Sequence, residues 1–356
     1  MVSLQDIATI NPKSDPLQNT FIYIDLEAVE KGELRKIQEI MREEAPSRAQ
    51  RVIDNNDILF QCVRPYQKNN YIHRILNTSN QQWVASTGYA QIRTTELPNY
   101  IYHLLNTDEF NRKVMVRCTG SSYPAINSED LATIHLYYTP DKKEQLKISR
   151  LLDLLDKRIA TQNKIIEDLK KLKSAIRKKM FSLLKDEYTE SFEINQLLDY
   201  EQPTAYIVAN DEYSTDTSLT PVLTANKGFI LGYTDEKFGI YQKGECIIFD
   251  DFTMDAKYVS FPFKVKSSAI KILTAKPNVN LRFMFEYLSY WELKSEGHKR
   301  HYISEIASLV IELPSKERQS IIASLMTSLN SKLDIEAKTK IRYEEQKRYL
   351  LSQMFI

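Results

Sequence analysis

The 356-residue chain is poor in the residues that build cofactor loops and disulfide frameworks. It has 8 glycines and no G-x-G cluster, so a dinucleotide-binding loop is not expected. Its 3 cysteines are widely spaced, which indicates free thiols in a reducing cytoplasm. It lacks an apolar run of the ~18 residues that a membrane span needs, and we expect no signal peptide. A formal net charge of +1 means that nucleic-acid binding, if present, must use local basic patches.

Recognisable catalytic and metal-binding motifs are also lacking. Gly239–Gly244 has the glycine spacing of a P-loop, but Glu245 and Cys246 follow where Lys and Ser/Thr are required. His298 and His301 lie close together, and a basic surface loop explains them more simply than a metal site. We therefore expect no catalytic residue, no metal site and no cofactor bound by this chain.

An internal repeat organises the chain. Pro140 opens one long helical pattern and Pro314 opens another, which is an offset of 174 residues. The pairs matched at this offset include Gln145 and Gln319, Leu155 and Leu329, Lys173 and Lys347, and Met180-Phe181 and Met354-Phe355. Strand-like segments at 130–136 and 305–311 precede the two prolines. The repeat predicts two copies of one unit, each a globular head followed by a long helix.

Both long helices carry an apolar stripe with a period of 3.5 residues, the pattern of a coiled-coil seam. In the first helix the seam residues are Ile148, Leu152, Leu155, Ile159, Ile166, Leu169, Ile176 and Met180, with polar Gln162 and Lys173 among them and Leu183 at the end. In the second they are Ile322, Met326, Leu329, Leu333, Leu350 and Met354, with Glu336, Lys340, Tyr343 and Lys347 among them. Such stripes are unfavourable in water. Two matched stripes predict that the helices pair antiparallel and return the chain's end to the first head; packing of each stripe on its own head is the alternative.

The predicted fold class is a mixed α/β (α+β) fold with two heads joined by a long antiparallel two-helix coiled coil of pseudo-two-fold symmetry. The predicted segments are a head at 1–139, a helix at 140–187, a head at 188–313 and a helix at 314–356. Runs rich in β-branched and aromatic residues predict strands at 57–63, 245–249, 259–265 and 268–273. Short helices are predicted around 99–106 and 281–293.

Loops in both heads interleave Arg, Lys, Asn, Gln, Ser and Tyr, whose side chains reach phosphate oxygens and base edges. The DNA-binding candidates are Arg64, Tyr66, Lys68, Thr87, Tyr89, Arg93, Ser122 and Tyr123 in the first head, and Asn226, Lys227, Lys264, Lys266, Ser267 and Arg300 in the second. Loops are polar in any protein, so composition alone leaves both DNA binding and a purely helical scaffold open.

The whole chain resembles the specificity subunit of a type I restriction–modification enzyme. The resemblance rests on the duplicated Pro-x-x-x-x-Gln-x-x-Ile helix start and on the Met-Phe pair that ends each helix. In the second head it includes residues 221–228, 248–253 and 261–269. The first head is similar more loosely, through Asp57–Phe60 and Arg64-Pro65.

This resemblance implies that each head is a target-recognition domain that reads one half of a split, asymmetric site in double-stranded DNA, with the helices setting the gap. It implies two methyltransferase subunits and two restriction subunits as partners, and S-adenosylmethionine, ATP and magnesium on those partners rather than on this chain. It also implies a cytoplasmic complex without a membrane. A fused methyltransferase is disfavoured because a G-x-G cofactor loop is missing and Asn11-Pro12 is followed by Lys13, not by the Pro-aromatic pair that amino-methyltransferases use. A coiled-coil scaffold or adaptor without DNA binding is the alternative.

Overall fold

The computed structural model describes residues 1–74, 81–184, 189–224, 228–291 and 305–355. The chain forms two compact units, Met1–Asn163 with Lys338–Ile356 and Lys164–Ala337. Each unit thus combines one head with part of each long helix. The four segments predicted from the sequence divide the chain differently, separating heads from helices, and they stay a prediction.

The first head is built from short strands and short helices. Its strands are β1 (Val2–Ser3), β2 (Ala8–Ile10), β3 (Thr20–Ile24), β4 (Val29–Glu30), β5 (Glu33–Leu34), β6 (Gln38–Met41), β7 (Ala49–Val52), β8 (Ile58–Gln61), β9 (Tyr71–Ile72), β10 (Gln82–Ser86), β11 (Tyr89–Thr94) and β12 (His135–Leu136). Its helices are α1 (Leu4–Ile7), α2 (Pro98–Leu105), α3 (Asp108–Arg117) and α4 (Ser128–Ala132), and the long helix α5 (Lys142–Leu183) follows them.

Two four-stranded sheets support this head, in the orders β2-β11-β8-β9 and β6-β3-β10-β7. Strands β3 and β10 run parallel. The apolar run in β8 explains its position between two cores, because alternate side chains of a strand face opposite ways. Ile58 and Phe60 pack in a cluster with Tyr100 of α2, whereas Leu59 packs with Trp83 in a separate cluster.

The second head repeats this plan. Its strands are β13 (Glu190–Glu193), β14 (Leu198–Glu201), β15 (Thr220–Leu223), β16 (Ile230–Thr234), β17 (Cys246–Asp250), β18 (Ala256–Val259), β19 (Lys264–Val265), β20 (Ile270–Ala275) and β21 (Val310–Leu313), and its helices are α6 (Ile194–Leu197) and α7 (Leu281–Tyr290), before the long helix α8 (Lys316–Met354). The sheet order β14-β20-β17-β18 corresponds to β2-β11-β8-β9. Strands β15 and β19 run parallel, as β3 and β10 do. The predicted repeat is therefore a repeat of topology.

In the first unit, the start of α5 packs against the end of α8. One core cluster contains Ile148 and Leu152 of α5 together with Leu351 at the end of α8 and Phe355 just beyond it. The ring of Phe355 lies 5.2 Å from that of Tyr100 in α2. Because the start of one helix meets the end of the other, the pair is antiparallel here. The chain's end returns to the first head, as the sequence predicts.

In the second unit, the end of α5 packs against the start of α8. The residues that share this core are Ile176, Met180, Phe181, Leu184, Ile322, Met326 and Leu329. The arrangement is again antiparallel, so mutual pairing of the stripes is confirmed. The alternative, in which each stripe packs only on its own head, is wrong. Elsewhere along the predicted seam, Leu155 is buried, and Ile159, Ile166, Leu169, Leu333, Leu350 and Met354 are half-buried.

The predicted seam is wrong at Leu183. That residue is 41% exposed, while Phe181 and Leu184 are buried. The stripe shifts because the helix end packs on the head instead of continuing along its partner. Phe181 lies 4.9 Å from the ring of Tyr287 and 5.6 Å from that of Phe283, both in α7.

The repeated glutamines tie each long helix to its own head. Gln145 is fully buried, and its side-chain amide donates to the carbonyl of Thr139 at 2.8 Å. Gln319 is also buried, and its amide donates to the carbonyl of Pro314 at 2.9 Å while its oxygen accepts from the backbone N–H of Asn280. The Pro-x-x-x-x-Gln motif is therefore structural, since it fixes the start of each helix.

Three predicted strands differ in the structure. In segment 130–136 the chain is helical to Ala132, because the side chain of Asn127 caps α4 by accepting from the backbone N–H of Asp130 at 2.7 Å. In segment 305–311 the strand begins only at Val310. The segment 259–265 is split between β18 and β19, since Pro262 has no N–H to donate to a ladder. The helices predicted near 99–106 and 281–293 are present as α2 and α7.

Candidate nucleic-acid interface

Four stretches of the first head meet at one edge, which we call the first loop edge. It consists of residues 46–51, 62–66, 86–88 and 119–125. Backbone hydrogen bonds join the stretches, from Thr87 to Arg48 at 2.8 Å, from Cys62 to Gly88 at 3.0 Å and from Arg64 to Pro124 at 2.7 Å. Residues up to 79 positions apart in the sequence therefore share one surface.

The charged residues of the first loop edge are all basic. It contains Arg48, Arg51 and Arg64 and no Asp or Glu. Around these arginines lie polar side chains of Ser47, Gln50, Tyr66, Thr87, Ser121, Ser122 and Tyr123. Three arginines in stretches that contain no Asp or Glu favour binding of an anion. The surrounding hydroxyl and amide groups add donors and acceptors for hydrogen bonds.

Arg64 is held in position by its own loop. Its guanidinium carbon lies 4.3 Å from the ring centroid of Tyr123, a cation–π contact that stacks a planar cation on an exposed aromatic ring. Arg64 has a left-handed backbone with a φ of 55°, a costly conformation for a residue other than glycine. Gly120 shapes the facing loop with a φ of +88°, where a Cβ would come within 3.0 Å of the Tyr123 carbonyl oxygen. The pair is preorganised at the surface.

Arg51 is half-buried beneath the same edge. Its Nε is buried, and within the described residues it has no hydrogen-bond partner. Burial lowers the pKa of Arg51 somewhat. Burial likewise raises the pKa of the neighbouring Cys62 to about 11, so this thiol is neutral and supplies no counter-charge. Arg51 therefore presents a partly desolvated positive charge that an incoming anion would stabilise.

The other candidates in the first head are placed unevenly. Tyr66 is 52% exposed, Ser122 is exposed and Thr87 is half-buried in the β10–β11 turn, so all three belong to the first loop edge. Lys68 turns away from it: its ammonium donates to Asp108 at 2.5 Å and to the Asn106 carbonyl at 3.2 Å. Its side chain links the loop after β8 to the start of α3 within the same head.

The structure corrects three candidates. Tyr89 is fully buried, and its hydroxyl donates to the Asp25 carbonyl at 3.2 Å, so it is a core residue. Arg93 donates to both oxygens of buried Asp57, at 2.8 and 2.7 Å. Lys264 is 1% exposed and forms an ion pair with Glu236 at 2.8 Å. In each case an intramolecular partner already uses the polar group.

In the second head, Lys266 and Ser267 are exposed in the turn between β19 and β20. This turn corresponds to Thr87-Gly88 between β10 and β11, and the backbone N–H of Lys266 donates to Leu223 at 3.1 Å. Segment 208–218 of this head carries Asp211, Glu212 and Asp216, so its loops are not free of acidic residues. The candidates Asn226, Lys227 and Arg300, like His298 and His301, lie outside the described residues.

Sequence reasoning missed Arg48 and Arg51. A signal was present, because Ser47-Arg48-Ala49-Gln50-Arg51 is basic, polar and free of acidic residues. Its importance depends on contact with a turn about 40 residues later, and the sequence does not show that contact.

Two further searches of the described residues gave negative results. None of the helices there is long and apolar enough to cross a membrane. Within the same ranges, no group of three or more His, Cys, Asp or Glu side chains is arranged to hold a metal ion.

The family model for the type I restriction modification DNA specificity domain matches the chain twice, over residues 1–171 and 187–345. The chain therefore belongs to this family and carries two copies of its domain. The membership confirms the resemblance read from the repeated helix starts and ends, and it agrees with the repeated topology.

Several relatives are type I specificity subunits. That of EcoR124I/EcoR124II from Escherichia coli is 39% identical over 178 residues, or 45% of this chain and 43% of the relative. The putative MjaX subunit from Methanocaldococcus jannaschii is 23% identical over 288 residues, or 72% of this chain and 66% of the relative. The chain thus spans less than two thirds of the length of these curated relatives.

Two solved structures share the fold. The S subunit of a type I system from M. genitalium aligns with a TM-score of 0.67 and 14% identity, covering 100% of this chain and 95% of that one. A chain from a structural study of complex assembly and conformational transition in a type I R-M system aligns with a TM-score of 0.60 and 18% identity, covering 99% and 96%. At these identities the likeness concerns the fold.

Proposed function

We propose that this chain reads a split, asymmetric DNA site, one half with each head, and performs no catalysis of its own. The observation that carries the proposal is the first loop edge, which combines three arginines, no acidic residue and exposed hydroxyl and aromatic groups. Family membership supplies the general role in DNA specificity. The two heads share a topology but differ in their loops, which supports recognition of two different half-sites.

The arginines divide into two expected roles. Arg64 is oriented by Tyr123 and so suits a bidentate contact with the O6 and N7 atoms of guanine, the commonest specific contact of arginine in the major groove. Arg48 is exposed, and Arg51 lies deeper without an ion-pair partner in the described residues; both suit phosphate contacts that fix the position of the duplex. In the second head, Lys266 and Ser267 take the place of Thr87 and Gly88.

The proposal includes assembly with other subunits. Two methyltransferase subunits would bring S-adenosylmethionine and methylate adenine, and two restriction subunits would bring ATP and magnesium. This division of roles, with the cofactors on the partner subunits, is supported by the family and by the lack of a G-x-G cofactor loop in the sequence. The alternative is a helical scaffold that binds the partners but not DNA. The three arginines of the first loop edge, in stretches without Asp or Glu, favour DNA binding over that alternative.

The test begins with the recognition motif, which adenine methylome sequencing of cells carrying the system would define. Binding of a labelled duplex with that motif is then measured for the full chain, alone and with methyltransferase subunits. Alanine at a phosphate-contacting arginine should weaken binding to all duplexes and reduce the salt slope by about one. Alanine at a base-contacting arginine should cost ~1–3 kcal/mol at one base pair and relax that position.

The triple variant Arg48→Ala/Arg51→Ala/Arg64→Ala should lose at least about 100-fold in affinity. The matched control is Arg112→Ala, which removes an exposed arginine paired with Glu109 on α3, outside the first loop edge. A folded triple variant with unchanged affinity and motif would show that this edge does not face DNA. Absence of DNA binding by the native chain, with and without its partners, would favour the scaffold.

A further inference from the structure

Each unit contains a polar cluster where the head meets the two long helices, with a buried head residue and half-buried helix residues. The first junction consists of His103 in α2, Asp153 and Asp156 in α5, and Lys347 in α8. The Nε2 atom of fully buried His103 lies 2.9 Å from Asp153, and Asp156 forms an ion pair with Lys347. Burial would raise the pKa of Asp153, but the hydrogen bond and charge interaction with His103, together with Arg74 and Asn99 beside it, outweigh this and lower the pKa. The junction is a chain of alternating basic and acidic groups.

The second junction has the charges in a different order. It consists of Glu286 in α7, Lys173 and Arg177 in α5, and Asn330 in α8. Arg177 donates to one oxygen of Glu286 through Nη2 and Nε, at 2.6 and 2.9 Å. Lys173 donates to Asn330 at 2.5 Å and lies 3.9 Å from Glu286. Glu286 is 2% exposed, so these contacts provide the compensation for its buried charge.

The two junctions occupy equivalent positions in the repeat. His103 lies six residues after the N-cap of its helix, Leu97, and Glu286 lies six after Asn280, so the two correspond. On the long helices, the 174-residue offset supplies four corresponding pairs: Lys173 with Lys347, Asp153 with Thr327, Asp156 with Asn330, and Arg177 with Leu351. The lysine is common to both junctions. At the other positions the charges are reversed. In the first junction the head residue is basic and the helix residues include two carboxylates, whereas in the second the head residue is acidic and the helix residues include an arginine.

The difference at Arg177 and Leu351 decides which helix end each head accepts. A leucine in place of Arg177 would leave Glu286 with the ammonium of Lys173, 3.9 Å away, and the side-chain amide of Asn330. These contacts compensate a buried carboxylate poorly. In the first unit the corresponding residue, Leu351, is buried in the apolar core with Ile148 and Leu152. An arginine there would bury a charge among apolar side chains. Each exchange therefore carries a penalty in its own unit.

We infer that the second junction selects a helix end carrying a lysine and, one turn later, an arginine, whereas the first junction accepts an end carrying the lysine alone. The residues at each junction therefore determine which helix ends a given head can pack against. This selectivity concerns the fit of head and helix and does not depend on the proposed reading of DNA.

A double-mutant cycle in the full chain tests this inference. The chain has 2 tryptophans, Trp83 in the first head and Trp291 at the end of α7. In a Trp83→Phe background, thermal unfolding followed by Trp291 fluorescence reports the second unit. Arg177→Leu and Glu286→His should each lower the midpoint by roughly 5–10 °C, because the first leaves buried Glu286 poorly compensated and the second deprives half-buried Arg177 of its carboxylate. The double variant should have a higher midpoint than either single variant.

Three controls sharpen the result. Arg177→Lys keeps the charge but loses the paired donors and should fall between the native chain and Arg177→Leu. Glu286→Gln, of equal size, replaces Glu286→His if the latter does not fold. Leu351→Arg, followed by Trp83 in a Trp291→Phe background, should lower the midpoint of the first unit, because it places a charge among the apolar side chains around Leu351. Additive losses in the double variant, or an unchanged midpoint after Leu351→Arg, would overturn the inference.

Discussion

Phe355→Ala tests whether the end of α8 stabilises the head at the other end of the sequence. Phe355 is 8% exposed and packs against Tyr100 in the core of the first head. Truncating a buried phenylalanine costs about 3–5 kcal/mol. For a unit of this size, ~3 kcal/mol corresponds to a fall in the midpoint of roughly 6–12 °C. The fall should occur in the first unit only.

The two tryptophans allow each unit to be followed separately. Trp83, buried in the first head, should report the loss in a Trp291→Phe background, and Trp291 should be unaffected in a Trp83→Phe background. Phe181→Ala should show the reverse, because Phe181 packs against Phe283, Tyr287 and Tyr290 in the second head. Tyr349→Ala, on an exposed side of α8, is the control and should change neither midpoint appreciably. A loss reported by Trp291 after Phe355→Ala would refute the crosswise packing of the helix ends.

Two further outcomes follow from the described contacts. The hydrogen bond from Lys142 holds the pKa of Glu96 down to about 2, so this carboxylate stabilises the first unit above about pH 4.5 and loses that contribution as the pH falls towards 2. In acid titrations followed by Trp83, Glu96→Gln should flatten this part of the curve, and an unchanged slope would count against the contact. Tyr89→Phe removes a hydroxyl that donates to the Asp25 carbonyl; it should cost about 1 kcal/mol and leave the methylated motif unchanged. A changed methylated motif would instead indicate that Tyr89 contributes to DNA recognition.

The pairing of the helices could be predicted because the signal is local and repeated. A 3.5-residue period over many turns defines which residues are buried, whatever lies against them. The offset of 174 residues supplied the second stripe, and connectivity then supplied the direction. The prediction was wrong at Leu183, where the helix leaves its partner and packs on aromatic residues of the head. The 3.5-residue period describes contacts along the partner helix, so it does not predict where a helix end packs on the head instead.

The candidate interface was predictable only in part, because loops are brought together by distant backbone contacts. Arg64 and Tyr123 were both selected from the sequence, but their stacking depends on a hydrogen bond from Arg64 to Pro124, about 60 residues away. Lys264 was misread as a loop residue. It follows Phe263 and precedes Val265, and a lysine between buried apolar residues in a short strand is usually paired internally, as here with Glu236.

Comparison of the two repeats separates what the heads share from what distinguishes them. Gln145 and Gln319 make the same kind of contact at the two helix starts, and Phe181 and Phe355 make the same kind of contact at the two helix ends. These positions define the frame that holds a head on the helix pair. The loops have diverged instead: the segment between β2 and β3 carries Lys13 and Asp15, whereas the corresponding segment between β14 and β15 is twice as long and carries Asp211, Glu212 and Asp216 but no Lys or Arg. Electrostatically different loops on an equivalent frame cannot present the same pattern of contacts, and this is the physical basis for expecting an asymmetric site.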